Sequence, residues 1–193
     1  MRRLSRGFSL IELMLALAIS LMLVLGVAQV FIAAKSTHLS QRAAASMQED
    51  ARFALSKMIQ DIRMVGMFGC LEEIADASEG AAFSVHRRMP VSWDNAARNL
   101  TLVTANVGNQ GGTPTWTVVS DCKTYATAYS KHRAADAGEV AFAVRRLEYR
   151  FHENEIRMTV SNQTAAVISN VRAFAVSFGL ADSATDSAVS SYS

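Results

Sequence analysis

Residues 6–13, Arg6-Gly7-Phe8-Ser9-Leu10-Ile11-Glu12-Leu13, open an apolar run that continues to Ala34 as FSLIELMLALAISLMLVLGVAQVFIAA. Glu12 and Gln29 are its two interruptions. At about 1.5 Å of rise per residue, a helix over 8–34 reaches roughly 40 Å, more than the ~30 Å hydrocarbon core of a bilayer. Arg2, Arg3 and Arg6 precede it, and positive charge on that side places the N-terminus in the cytoplasm and everything after Ala34 across the membrane. A carboxylate near the start of a spanning segment is disfavoured for an ordinary anchor. Glu12 therefore needs a reason.

Outward from this run, no proline occurs before Pro90, and 35–68 reads as a continuing amphipathic helix. Leu39, Ala43, Met47, Ala51, Met58 and Ile62 recur at spacings of three and four, while Glu49, Asp50, Lys57 and Asp61 take other faces. Gly66 and Gly69 are expected terminators. After Cys70 the apolar period shifts towards two. Expected strands are Leu100–Ala105 and Trp116–Ser120 around the loop NVGNQGGTPT, then a hairpin of Leu147–Phe151 and Ile156–Val160 turning through HENE. Phe174, Val176 and Phe178 suggest another strand, and the Ser- and Ala-rich tail from Ala181 is expected to fray.

A chain of 193 residues holds one domain plus an anchor. Its formal charge of +2 rests on the leader: without Arg2, Arg3 and Arg6 the 19 basic side chains fall below the 17 acidic ones, so charge does not argue for nucleic acid. Arg87–Arg88 and Arg145–Arg146 read as solvated pairs. His38, His86, His132 and His152 are scattered, and no metal, nucleophile, P-loop or dinucleotide motif is present. The expectation is a non-enzyme without cofactor or metal site. The two cysteines, Cys70 and Cys122, match neither a CxxC pair nor a zinc pattern. In an extracytoplasmic domain they read as one disulfide.

RGFSLIEL closely resembles the N-terminus of type IV prepilins and type II secretion pseudopilins. The resemblance implies that a prepilin peptidase cuts after Gly7 and methylates the new amine of Phe8. It also implies that Glu12 of an incoming subunit pairs with the Phe8 amine of a neighbour, fixing axial register where apolar surfaces could slide. Glycine at the cut lets backbone enter a narrow cleft. The stretch ARFALSKMIQDIRMVGMFGC, 51–70, resembles minor pilins of the PilW type, related to J-type pseudopilins, and the segments from Leu147 to Phe178 with the following FGLADS resemble their C-terminal half. Many members carry an Asp- and Gly-rich loop there; ADSATDSA keeps only Asp182 and Asp186, so no calcium site is expected. Relatives commonly continue past the position of Ser193 into a further strand, which leaves a shortened chain as one reading.

The combined reading is an α+β pilin-like fold: leader 1–7, transmembrane and filament-core helix half 8–34, amphipathic helix half 35–69, and a periplasmic antiparallel β domain 70–193. The implied function is a minor pilin that joins other minor and major pilins to prime a type IV pilus for twitching, adhesion or DNA uptake. Implied partners are the prepilin peptidase, the inner-membrane assembly platform and a tip adhesin; location is the inner membrane, single-pass, then the pilus tip. Rival readings are a type II pseudopilus tip subunit and a non-polymerising membrane-anchored binding domain. A secretory signal ending near IAAKS, 32–36, would be unusually long, and a plain anchor would need neither Glu12 nor the Gly7–Phe8 junction.

Overall fold

The computed structural model describes residues 9–106, 113–183 and 189–193. The chain forms two units, Met1–Asp50 and Ala51–Ser193, and the boundary lies within one unbroken helix, α1 (Leu10–Arg63). No proline and a single glycine, Gly26, occur in it, and Leu, Ala and Met dominate its first half, all strong helix formers. Two of its hydroxyls bond back to the preceding turn: Ser20 Oγ donates to the Ala16 carbonyl at 2.7 Å and Thr37 Oγ1 to that of Ala33 at 3.0 Å. The described residues of the first unit are all exposed, including Leu39, Ala43 and Met47, which were expected on a packed stripe.

In the second unit α1 ends at Arg63. Gly66 turns the chain at φ +81°, a left-handed conformation that suits a residue without Cβ. The strands are β1 (Ala75–Asp76), β2 (Val91–Asp94), β3 (Asn99–Ala105), β4 (Trp116–Ser120), β5 (Ala126–Ser130), β6 (Val140–His152), β7 (Glu155–Val160) and β8 (Gln163–Ile168), with a short helix α2 (Ala82–Arg88) after β1. The sheet order is β1-β5-β4-β6-β3-β2, and β7 joins β6 with β8 outside it. Pairing is antiparallel except between β1 and β5.

The 13-residue strand β6 is the spine. One of its edges pairs with β4 through Val140–Val144 and then with β7 through Leu147–His152; the other pairs with β3 through Val144–Arg150. Alternation gives each face its own core. Leu147 and Tyr149 join Leu100, Leu102, Ile156 and Met58 of α1 on one face. Val144 joins Val103, Trp116, Val118, Phe68 and Phe83 of α2 on the other. The disulfide Cys70–Cys122, with Cα atoms 5.4 Å apart, ties the segment after α1 to the chain just beyond β4.

The sequence places Asp61 on a polar face, but it is 2% exposed. Its carboxylate accepts from Lys57 Nζ at 2.7 Å, Arg145 Nη2 at 2.7 Å and the Tyr149 hydroxyl at 2.5 Å. Arg145 is accordingly 5% exposed and not half of a solvated pair; burial first, and then the bond to Asp61, push the Tyr149 phenol far above its ordinary value of 10.0. The turn through HENE uses two residues, Glu153 and Asn154, both at positive φ, with His152 and Glu155 already paired. Phe174, Val176 and Phe178 alternate inward as expected, and Phe174 and Val176 pack on the Tyr149 core, yet 171–178 forms no strand. The tail does not fray where it is described: β9 (Gly179–Leu180) pairs with β10 (Ser191–Tyr192), and the Phe178 N–H donates to the Ser193 carbonyl at 2.9 Å. Most of the NVGNQGGTPT loop lies outside the described residues.

Asp61→Ala is expected to cost about 3–5 kcal/mol, because it strands Arg145 in the core; urea unfolding of the full chain in detergent measures it. The Tyr149 contribution is complete below its unfolded value of 10.0 and is lost as pH rises through and beyond it. Stability should therefore fall above pH ~10 more steeply in wild type than in Tyr149→Phe. Reducing Cys70–Cys122, which are 52 positions apart, should lower stability by about 4 kcal/mol in the chain-entropy model; peptide mapping without reductant checks the bond itself.

Candidate processing and assembly site

The residues expected to carry processing stand at the head of α1. Gly7 and Phe8 lie outside the described residues. Ser9 precedes the first helical residue, and Glu12 occupies the third helical position. The Ser9 N–H donates to Glu12 Oε2 at 3.2 Å, while the N–H groups of Glu12 and Leu13 donate to the Ser9 carbonyl at 3.0 and 3.2 Å. The pattern Ser-x-x-Glu is the sequence form of a capping box, and the Glu12 half of it is made. That signal is legible in SLIE and is a local role for Glu12 beyond the one the resemblance implies.

The arrangement also favours a negative charge. The first N–H groups of a helix carry partial positive charge, so Glu12 sits where its carboxylate is stabilised by the dipole. The amide that Glu12 engages is the one linking Ser9 to Phe8. A cut before Phe8 would leave a cationic amine one residue before the amide that Glu12 engages.

Beyond Glu12 the helix presents apolar side chains all round: Met22 is 75% exposed, Val30 70% and Phe31 68%. A helix apolar on every side is suited to lipid or to a bundle of other helices. An 18-residue window of α1 has a mean hydropathy of 2.6 with none of it buried, and among the described residues this is the one helix long and apolar enough to cross a membrane.

Asp61, Arg145 and Tyr149 are buried together as packing. His86 lies against Trp116 at 5.4 Å, where burial and then the charge of Arg146 hold its imidazole below the ordinary value. His152 faces Glu153 at 3.6 Å on the surface. Asp182 accepts from Ser190 Oγ at 2.7 Å, and Asp186 lies outside the described residues. Among the described residues no group of three or more His, Cys, Asp or Glu could hold a metal ion.

The family model for the prokaryotic N-terminal methylation motif matches residues 2–28. The match spans Gly7, Phe8, Glu12 and most of the apolar run, and marks this segment as a type IV pilin-like prepilin N-terminus, a processing substrate. No curated protein and no solved structure matches the chain.

Because glutamine also caps at the third helical position, Glu12→Gln and Glu12→Ala separate acceptor from charge. In micelles, amide exchange at Ser9 should stay near wild type in Glu12→Gln and accelerate several-fold in Glu12→Ala, in line with a capping contribution of about 1 kcal/mol.

Proposed function

We propose that this chain is a minor pilin. It is cut between Gly7 and Phe8, methylated on the Phe8 amine, held in the inner membrane by the first half of α1 with residues 35–193 on the periplasmic side, and then moved into a filament. The observation that carries this is the methylation motif over residues 2–28 joined to a helix that leaves its apolar surface uncovered. The chain acts by assembly and not by catalysis. Its partners are other minor and major pilins, the prepilin peptidase and an inner-membrane assembly platform, with a tip adhesin as a further one. The PilW-type assignment, and with it a place in the complex that primes the filament at its tip, is supported by the stretch 51–70 and its run into Cys70.

Glu12 has a mechanical part in this scheme. While the subunit is in lipid, its carboxylate is held by the Ser9 amide at the helix start. In the filament it exchanges that bond for the cationic Phe8 amine of the neighbouring subunit, a charge-assisted contact of greater strength in a dry setting. One axial offset between helices then satisfies both charges, and others leave a carboxylate among apolar side chains.

Mass spectrometry of membrane-extracted protein should give a chain that begins at Phe8 and carries one methyl group on its amine; a mature start at Met1 or Lys35 would falsify the proposal. Filament incorporation then separates the two roles of Glu12. Glu12→Gln and Glu12→Ala should both be cleaved and membrane-inserted near wild-type level, and both should be depleted from sheared filaments. If Glu12→Gln assembles normally, the cap and not the charge is what assembly needs. Co-purification with pilus minor subunits, rather than with secretion pseudopilins, distinguishes the proposed system from its nearest rival.

A further inference from the structure

Strands β6 and β7 set two arginines in register. Arg150 pairs with Arg157, and like charges directly opposite on neighbouring strands, with Cβ atoms about 5 Å apart, oppose sheet formation. The surrounding carboxylates do not cancel both. Arg157 Nε donates to Glu155 Oε2 at 2.9 Å, and Arg146 Nη2 lies 2.7 Å from Glu148 Oε1. Glu148 further accepts from Asn99 Nδ2 at 3.2 Å, and Glu155 from Ser169 Oγ at 3.1 Å. Among the described residues the Arg150 side chain has neither a hydrogen bond nor an ion pair. Three guanidinium groups thus share this face with Glu148 and Glu155, both already engaged, while Glu153 lies 3.6 Å from His152 at the surface.

The unpaired cation faces a built recess. Glu148, Arg150, His152, Arg157, Thr159 and Thr164 line a cleft of about 220 Å³. It lies on the same side of the sheet as Val144 and α2, farther along β6. The Thr159 and Thr164 hydroxyls are 2.8 Å apart and share a single hydrogen bond, so one hydroxyl proton between them remains to be donated. The donors therefore come from β6, β7 and β8 together: two guanidinium forks and a hydroxyl.

We propose that this cleft binds a phosphoryl group, as the free ion or as the monoester of a small molecule. A carboxylate has two oxygens and can satisfy one fork; a tetrahedral phosphoryl group offers three terminal oxygens to two guanidiniums and a threonine at once. Its negative charge removes the Arg150–Arg157 repulsion, so binding and sheet stability are coupled through the same pair of residues. This site is independent of processing at Phe8 and of filament assembly.

The test is thermal unfolding and calorimetric titration of the full chain in detergent at constant pH and ionic strength, with inorganic phosphate, a hexose phosphate, acetate and chloride. Phosphate, the ester or both should bind saturably and raise the melting temperature, and which of them does so identifies the form taken. Acetate should bind about tenfold more weakly, the effect of losing one charged hydrogen bond. Arg150→Gln should abolish the phosphate shift, yet melt no lower than wild type without phosphate, since it removes the like-charge pair. Thr164→Val should weaken binding several-fold, and Arg172→Gln, on the surface outside the cleft, should behave as wild type. An equal shift with chloride, equal binding of acetate, or a phosphate shift that survives Arg150→Gln would each overturn the proposal.

Discussion

The carboxylate of Asp61 is the point on which the second unit turns. It is withdrawn from water and receives three donors, one from its own helix and two from β6. An ion buried in this way gains little net stability over apolar packing, but leaving it without partners costs several kcal/mol. The requirement is therefore geometric. The end of α1 must stand over β6 at one rotation and one height, because a helix turn of displacement would separate Asp61 from Arg145 and Tyr149. β3 reinforces the setting from the other edge of β6: Thr104 Oγ1 donates to the Asp61 carbonyl at 2.9 Å and the Ala105 N–H to that of Met64 at 3.1 Å. Carbonyls at the end of the helix, which have no partners within it, are thereby satisfied by the sheet.

The two halves of α1 meet opposite demands with one secondary structure. Over 10–34 the side chains are apolar on every side of the helix and the only carboxylate of the apolar run, Glu12, stands at its head, held by a backbone amide. In the second unit the packing surface is narrow, formed by Ala54 and Met58, and its carboxylate lies within that surface. A helix can serve both because its backbone bonds are internal and do not depend on the surrounding medium.

The residues that declared themselves in the sequence were those whose pattern is local. The apolar run, the leader, Glu12 and the alternation of β6 and β7 follow from spacing over a few positions. Cys70 and Cys122 could be paired because only two cysteines exist. Asp61 could not be read correctly, since its charge marks it for solvent and its partners lie 84 and 88 positions away. Arg145 was misplaced for the same reason. The hairpin between β7 and β8 went unread: Ser161 and Asn162 turn it at positive φ, but QTAAVI lacks the strong alternation that makes a strand visible. Phe174 and Val176 show the converse: their alternation correctly gives the buried face, but periodicity cannot say whether an adjacent strand exists to form a ladder.

The late position of β6 has a consequence for the order in which the chain can fold. A ribosome delivers α1, β3, both cysteines, β4 and β5 before Val140 appears, and domains form as their elements become available. At that stage β4 and β5 can pair and the thiols can join, but β3 has no neighbour on its β6 side and Asp61 has none of its sheet donors. Oxidation can thus close a loop around a sheet that does not yet exist. Until Val140–His152 is made, β3 and β4 lack their common neighbour, so their joining into one sheet waits on contacts of long sequence separation.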